Sequence, residues 1–281
     1  MYLSDFMYIT KLIYNDPIFL CLLIVAGSIV FAILAPIIGC FFAGLERKIA
    51  AKMQGRVGPP ILQPYYDVRK LFSKDKVSTN GSEGTYVTFA LVFAIVAGGV
   101  FFSGSNLLLC VFVLTLSSLM FIMAAYSSRS PYAEVGGARE IVQVLAYEPT
   151  VLLMCAGYYL VVMRVVGDYF ITPMFNVDHV ITNTMPLIVY VWPIFICLVF
   201  VLIIKMRKSP FDISMSHHAH QEIVRGMTTE MSGPTLGKIE IMHWCENVLF
   251  MGWVAMFFIY DNPFSYIAAG VACLVVWFLM I

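Results

Sequence analysis

The chain reads as an all-α, polytopic membrane protein of about seven to eight transmembrane helices, with one amphipathic helix lying along a charged side. Three observations predict this. First, 60% of the 281 residues are apolar and only 12% are charged, whereas soluble domains run about 45–50% apolar and about 25% charged. Second, seven windows are apolar over about the 20 residues needed to cross a bilayer: 18–44, 86–104, 106–126, 139–163, 186–205, 236–260 and 264–281. Third, threading the chain through those windows puts all but two of the 17 basic residues on one side, with Lys11 and Arg164 alone on the other. Lys and Arg are retained on the cytoplasmic side. The N-terminus is therefore expected outside, in the cell membrane, with the charged loops facing the cytoplasm.

Taken in order, residues 1–17 carry Asp5, Lys11 and Asp16 and lack a signal-peptide pattern, so they read as a short interfacial lead-in. The outer connections are a tight hairpin at Gly104–Asn106, a polar loop over 164–185 and a turn at Asp261–Pro263. The last window ends on Trp277, Phe278, Leu279, Met280 and Ile281 without a polar flank, which leaves room for a further C-terminal stretch. The whole reads as a single integral membrane domain, 1–281. Its inner segments, 45–85, 127–140 and 206–235, hold nearly every chemically interesting residue and form the expected docking and coupling face.

In the first inner segment, Gly58, Pro59, Pro60 and Pro64 interrupt any continuous helix. Beyond them, Tyr65, Val68, Leu71 and Phe72 fall at helical spacing opposite Asp67, Arg69, Lys70 and Lys74, the pattern of an interfacial amphipathic helix. A purely topological anchor explains these cations equally well, but not Glu46 beside Arg47 at the membrane boundary. The second inner segment carries Arg139, Glu140 and Glu148 into the fourth window. Carboxylates at membrane depth pair, face a cavity or carry protons, and Arg139 is a candidate counter-ion. At the start of a helix Glu140 could also serve the dipole alone; Glu148 is more than two turns deeper.

The third inner segment holds Asp212, His217, His218, His220, Glu222 and Glu230. The three histidines invite a metal, yet no Cys or carboxylate stands at a familiar ligand spacing, so proton handling or a structural role is preferred. In the sixth window Glu240, His243 and Glu246 recur every three residues along one side of a helix, as in a proton relay; for Glu246 a packing contact is as good a reading. A di-iron bundle needs a second Glu-x-x-His and two more carboxylates. Seven cysteines lie singly with no C-x-x-C pair, and no nucleotide-binding or hydrolase motif occurs. A zero net charge without a basic tail gives no support for nucleic-acid binding.

Several ordered pieces together resemble the quinone-site, H-type membrane subunit of respiratory complex I and its counterparts in energy-converting NiFe hydrogenases. They are Glu46-Arg47-Lys48, the run through Gln54, Arg56, Gly58, Pro59, Leu62, Gln63, Pro64, Asp67, Lys70 and Leu71, then Ala146-Tyr147-Glu148, Pro210-Phe211-Asp212, Glu222 to Gly226 and Thr229 to Gly233. Where complex I carries a compact acidic stretch, this chain has His217-His218-Ala219-His220-Gln221, which is similar to the Ech-type (group 4) hydrogenase branch.

The resemblance implies a non-redox subunit that anchors and couples, with no cofactor of its own. The NiFe centre and the iron–sulfur clusters would belong to partners: hydrogenase large and small subunits, an iron–sulfur subunit and, in the membrane, an antiporter-like subunit, with ferredoxin as donor. It further implies that Glu46, Glu140, Glu148, Asp212, Glu222, Glu230 and Glu240, joined by His243, form a polar path for proton or sodium coupling. Arg47, Arg56, Asp67, Arg139, His217, His218 and His220 would serve docking or structure. The alternatives are a complex I quinone-site subunit, a formate hydrogenlyase membrane subunit, or a stand-alone secondary transporter, for which the internal symmetry usual in transporters is missing.

Overall fold

A computed structural model of the chain describes residues 17–77, 81–166, 176–177, 185–208 and 226–281. These form eight α-helices: α1 (Pro17–Met53), α2 (Gln63–Phe72), α3 (Glu83–Phe102), α4 (Leu107–Ser127), α5 (Pro131–Val166), α6 (Leu187–Lys205), α7 (Gly233–Met256) and α8 (Phe264–Leu279), with a 3₁₀ turn at Gly226–Thr228. Asn106 and Asn176 make an isolated antiparallel bridge, and no strand forms among the described residues. Asp212, His217, His218, His220 and Glu222, together with the N-terminal lead-in, lie outside the described residues.

Five helices, α1, α3, α4, α5 and α6, are long and apolar enough to cross a membrane. The sixth window is α7, whose 24 residues include Lys238, Glu240 and Glu246, and the seventh is the shorter α8 of 16 residues. Two helices overrun their windows. The first continues to Met53 and carries Glu46, Arg47, Lys48 and Lys52 within it. The fourth already begins at Pro131, leaving residues 128–130 as its link to α4, with Arg129 at φ 55°. At 1.5 Å per residue these helices of 37 and 36 residues span about 55 Å, well beyond a hydrocarbon core of about 30 Å.

Connectivity follows from the turns. Asn106 caps α4 by accepting from the Leu108 and Leu109 backbone N–H groups at 2.9 and 3.3 Å, so α3 and α4 form a tight antiparallel hairpin. Helix α1 packs on α3 and α7, α4 on α5, α5 on α6, and α7 on α8. The core between them is filled by Trp253, Phe250 and Phe257 against Leu114, Met154, Tyr158, Leu198 and Leu202. A second apolar cluster, Val87, Ala90, Phe121, Met227, Met231 and Met242, closes the end of the bundle that carries the basic loops. At the far end Val177 donates its backbone N–H to the Ser105 carbonyl at 3.1 Å, and the Tyr158 hydroxyl donates to the Asn176 carbonyl.

At the basic end, Pro64 in the first turn of α2 starts that helix without needing a donor. Its apolar side lies on α7, where Gly237 leaves room for the Phe72 ring. Gly44 has a backbone reason: a Cβ there would stand 1.8 Å from the Ile61 carbonyl oxygen, so only glycine lets the loop leading into α2 lie against α1.

Candidate functional site

The site is organised by the end of α6. Helix α6 stops at Lys205, and Arg207 adopts φ 51°, a backbone conformation that non-glycine residues enter only at a cost. That turn spreads three cations in different directions. Lys205 lies over the Tyr147 ring of α5 at 4.2 Å. Lys208 donates to Glu46 of α1. Arg207 turns into the bundle, over the Phe121 ring at 5.2 Å.

There Arg207 joins two helices. Its Nη2 donates to Glu140 Oε1 on α5 at 3.2 Å, and both side chains are largely buried, 14% and 7% exposed. Its Nη1 lies 2.7 Å from Nε2 and 2.8 Å from Nδ1 of His243 on α7, while Nδ1 of His243 lies 3.3 Å from Glu246 Oε2. Arginine can only donate and a carboxylate only accept. The guanidinium thus lies against both ring nitrogens of His243, and an Nδ1–H there donates to Glu246. The result is a continuous chain, Glu140 to Arg207 to His243 to Glu246, across three helices. Burial works against the Arg207 charge, but Glu140 and Glu246 outweigh it and hold its pKa above the ordinary arginine value.

The expected residues divide into groups. Glu140 and His243 belong to this chain, and the ion pair of Glu140 reaches Arg207, 67 positions away. Glu46 is half-buried and paired with Lys208. Glu148 lies halfway along α5 (Pro131–Val166) and accepts from Thr115 Oγ1 on α4 at 3.0 Å. Glu240 does not share the face of Glu246. A step of three residues falls about 60° short of a helical turn, so two steps turn Glu240 toward α2. There, with Arg47, Asp67, Lys70, Lys74 and Trp244, it lines a groove of about 270 Å³. Asp67 accepts from Arg47 at 2.8 Å and Gln63 at 2.9 Å. That ion pair is nearly half exposed, a setting worth about 0–1 kcal/mol. Arg56 donates to Gln54 in the loop before α2, and Arg139 and Glu230 are half-buried at the basic end.

Sequence reasoning missed Arg207 and Lys208 in the site, and the burial of Glu83. Arg207 and Lys208 read as positive-side anchors because nothing in the local pattern shows that they turn inward. Glu83 in the first turn of α3 is fully buried, although an acid at that position ordinarily serves the helix dipole from solvent.

A bundle of apolar helices carrying a buried series of paired ionisable side chains is the architecture of a polytopic membrane protein, and such residues mark its candidate functional site. The family model described as NADH dehydrogenase matches residues 25–281, and the chain belongs to that family: it is a membrane subunit of the complex I and group 4 hydrogenase type. Hydrogenase-4 component C of Escherichia coli (strain K12) is 28% identical over 235 residues, covering 78% of this chain and 69% of that protein. The H subunit of NADH-quinone oxidoreductase from Aquifex aeolicus (strain VF5) is also 28% identical, over 249 residues, covering 78% of this chain and 71% of that protein. A chain of the membrane-bound sulfane sulfur reductase, an archaeal respiratory membrane complex, shares the fold with a TM-score of 0.75 at 24% identity, covering 92% of this chain and 88% of that one.

Proposed function

We propose that this chain is the anchoring and coupling subunit of an Ech-type energy-converting NiFe hydrogenase. In this reading, ferredoxin-dependent hydrogen evolution in docked soluble subunits drives proton or sodium translocation through the buried acids. The observation that carries it is the Glu140–Arg207–His243–Glu246 chain. One guanidinium serves Glu140 directly and Glu246 through an imidazole that can itself carry a proton. When a redox change in the docked subunits draws Arg207 aside, two buried carboxylates lose their shared cation, and in a low-dielectric site a proton restores the balance at least cost. Return of Arg207 expels it. Glu46, on Lys208 beside Arg207, and Glu148, further along α5, extend the path, and Glu230 and Glu240 supply its entrance. The hydrogenase assignment draws support from the likeness to hydrogenase-4 component C.

The test is to purify the complex in mild detergent, assay nickel and hydrogen evolution from reduced ferredoxin, and reconstitute it into vesicles holding a pH-sensitive dye. Nickel with hydrogen evolution and acidification is the expected result. Glu246→Gln should lower the number of protons moved per hydrogen evolved. Flavin with NADH–quinone activity would transfer the chain to the quinone-reducing branch, and an unchanged proton ratio in Glu246→Gln would overturn the relay.

A further inference from the structure

Glu148 poses a problem that the described residues do not solve. It sits inside the apolar window 139–163 of α5, opposite Thr115 near the middle of α4, and therefore within the apolar layer. A carboxylate at that depth pairs or faces a polar cavity. Glu148 has no cation among the described residues, and the hydrogen bond it receives there is the one from Thr115 at 3.0 Å. That bond is part-time, because the Thr115 hydroxyl is also 3.1 Å from the Val111 carbonyl and has one proton to give. The next residue, Pro149, lies inside the helix and has no N–H to return to the Leu145 carbonyl. Among the described residues, the seam between α4 and α5 thus offers the one proton of Thr115 to several acceptors.

The seam is also open to the outside. One turn from Glu148 on α5, Leu145 is 65% exposed, and one turn from Thr115 on α4, Phe112 and Leu119 are 53% and 45% exposed. Ala146, Pro149 and Ala156 are exposed on the same helix, and small residues are what allow a second helix to approach closely in a membrane. Lipid tails fit the apolar rim but offer nothing to a carboxylate.

We infer that the α4–α5 face around Glu148 is covered by a transmembrane helix of another membrane subunit, which presents a basic side chain, Lys, Arg or His, to Glu148 within the apolar layer. This rests on the coupling role proposed above, and names the face through which that role passes to the next subunit.

A photo-reactive benzoylphenylalanine placed at Leu145 in the intact complex, in its native membrane, tests it. The expected result is one protein adduct, mapped to a transmembrane segment of a different subunit with a Lys, Arg or His within a turn of the attachment point. Replacing that basic residue by Leu should cause the loss of the adduct and of co-purification that Glu148→Leu causes, with no further loss when the two are combined. Adducts to lipid alone, or to a helix without a basic residue near the attachment point, would overturn the docking face. A proton ratio lowered in Glu148→Gln alongside lipid-only adducts would sink the docking face and leave the coupling; an unchanged ratio with the expected adduct would do the reverse.

Discussion

Replacing Arg207 by Met keeps most of the side-chain volume and removes the charge that joins Glu140 to His243 and Glu246. At 3.2 Å and an effective dielectric constant of about 20, the direct attraction between Arg207 and Glu140 is about 5 kcal/mol. Breaking a buried ion pair by deleting one partner costs about 3–5 kcal/mol, because the other charge stays buried without compensation. In thermal terms that is a fall in Tm of about 10 °C, measurable by scanning fluorimetry on the purified complex. The reasoning makes a sharper claim about the double variant. In Arg207→Met with Glu140→Gln the stranded carboxylate is gone, so a large part of the loss should return, and the two changes should be strongly non-additive. Arg207→Lys should fall between, since a single ammonium cannot reach both neighbours as the planar fork does. The argument is refuted if Arg207→Met leaves Tm unchanged, or if the double variant is less stable than Arg207→Met alone.

Other outcomes follow from the same coordinates. Glu148→Gln should leave the complex assembled while lowering proton uptake in vesicles, read by a pH-sensitive dye against hydrogen evolved. Arg129 is exposed at φ 55°, so Arg129→Gly should relieve backbone strain and raise stability by about 1 kcal/mol, visible as a Tm increase of a few degrees. Gly44→Ala sets a methyl group against the Ile61 carbonyl and should push the loop before α2 off α1, exposing residues 54–62 to faster limited proteolysis. Tyr158→Phe removes the hydroxyl that donates to the Asn176 carbonyl and should cost about 1 kcal/mol, seen as faster amide exchange at Val177.

The helical class, the number of apolar windows, the amphipathic α2 and the acids entering the bundle were legible because each depends on local composition and periodicity. Window ends were less legible. Charged residues read as loop, yet Glu46, Arg47 and Lys48 continue α1, since Lys and Arg are good helix formers and the helix projects past the apolar layer. The site was half legible: the three-residue spacing of Glu240, His243 and Glu246 is written in α7, but not which neighbour each one meets. The joining residue was invisible, because Arg207 lies 67 positions from Glu140 and 36 from His243, and no pattern within one helix encodes a contact between three. Glu83 stayed hidden for a related reason: its burial comes from neighbouring segments that a one-dimensional reading cannot bring to it.

Arg207 and Lys208 are at once the hub of the charge chain and the last described residues before segment 209–225. Neighbours on one backbone turn, they fasten three helices: Lys208 holds Glu46 on α1, while Arg207 holds Glu140 on α5 and lies against His243 on α7. A displacement of that single turn is therefore felt at all three helix contacts at once, as one buckle closes several straps.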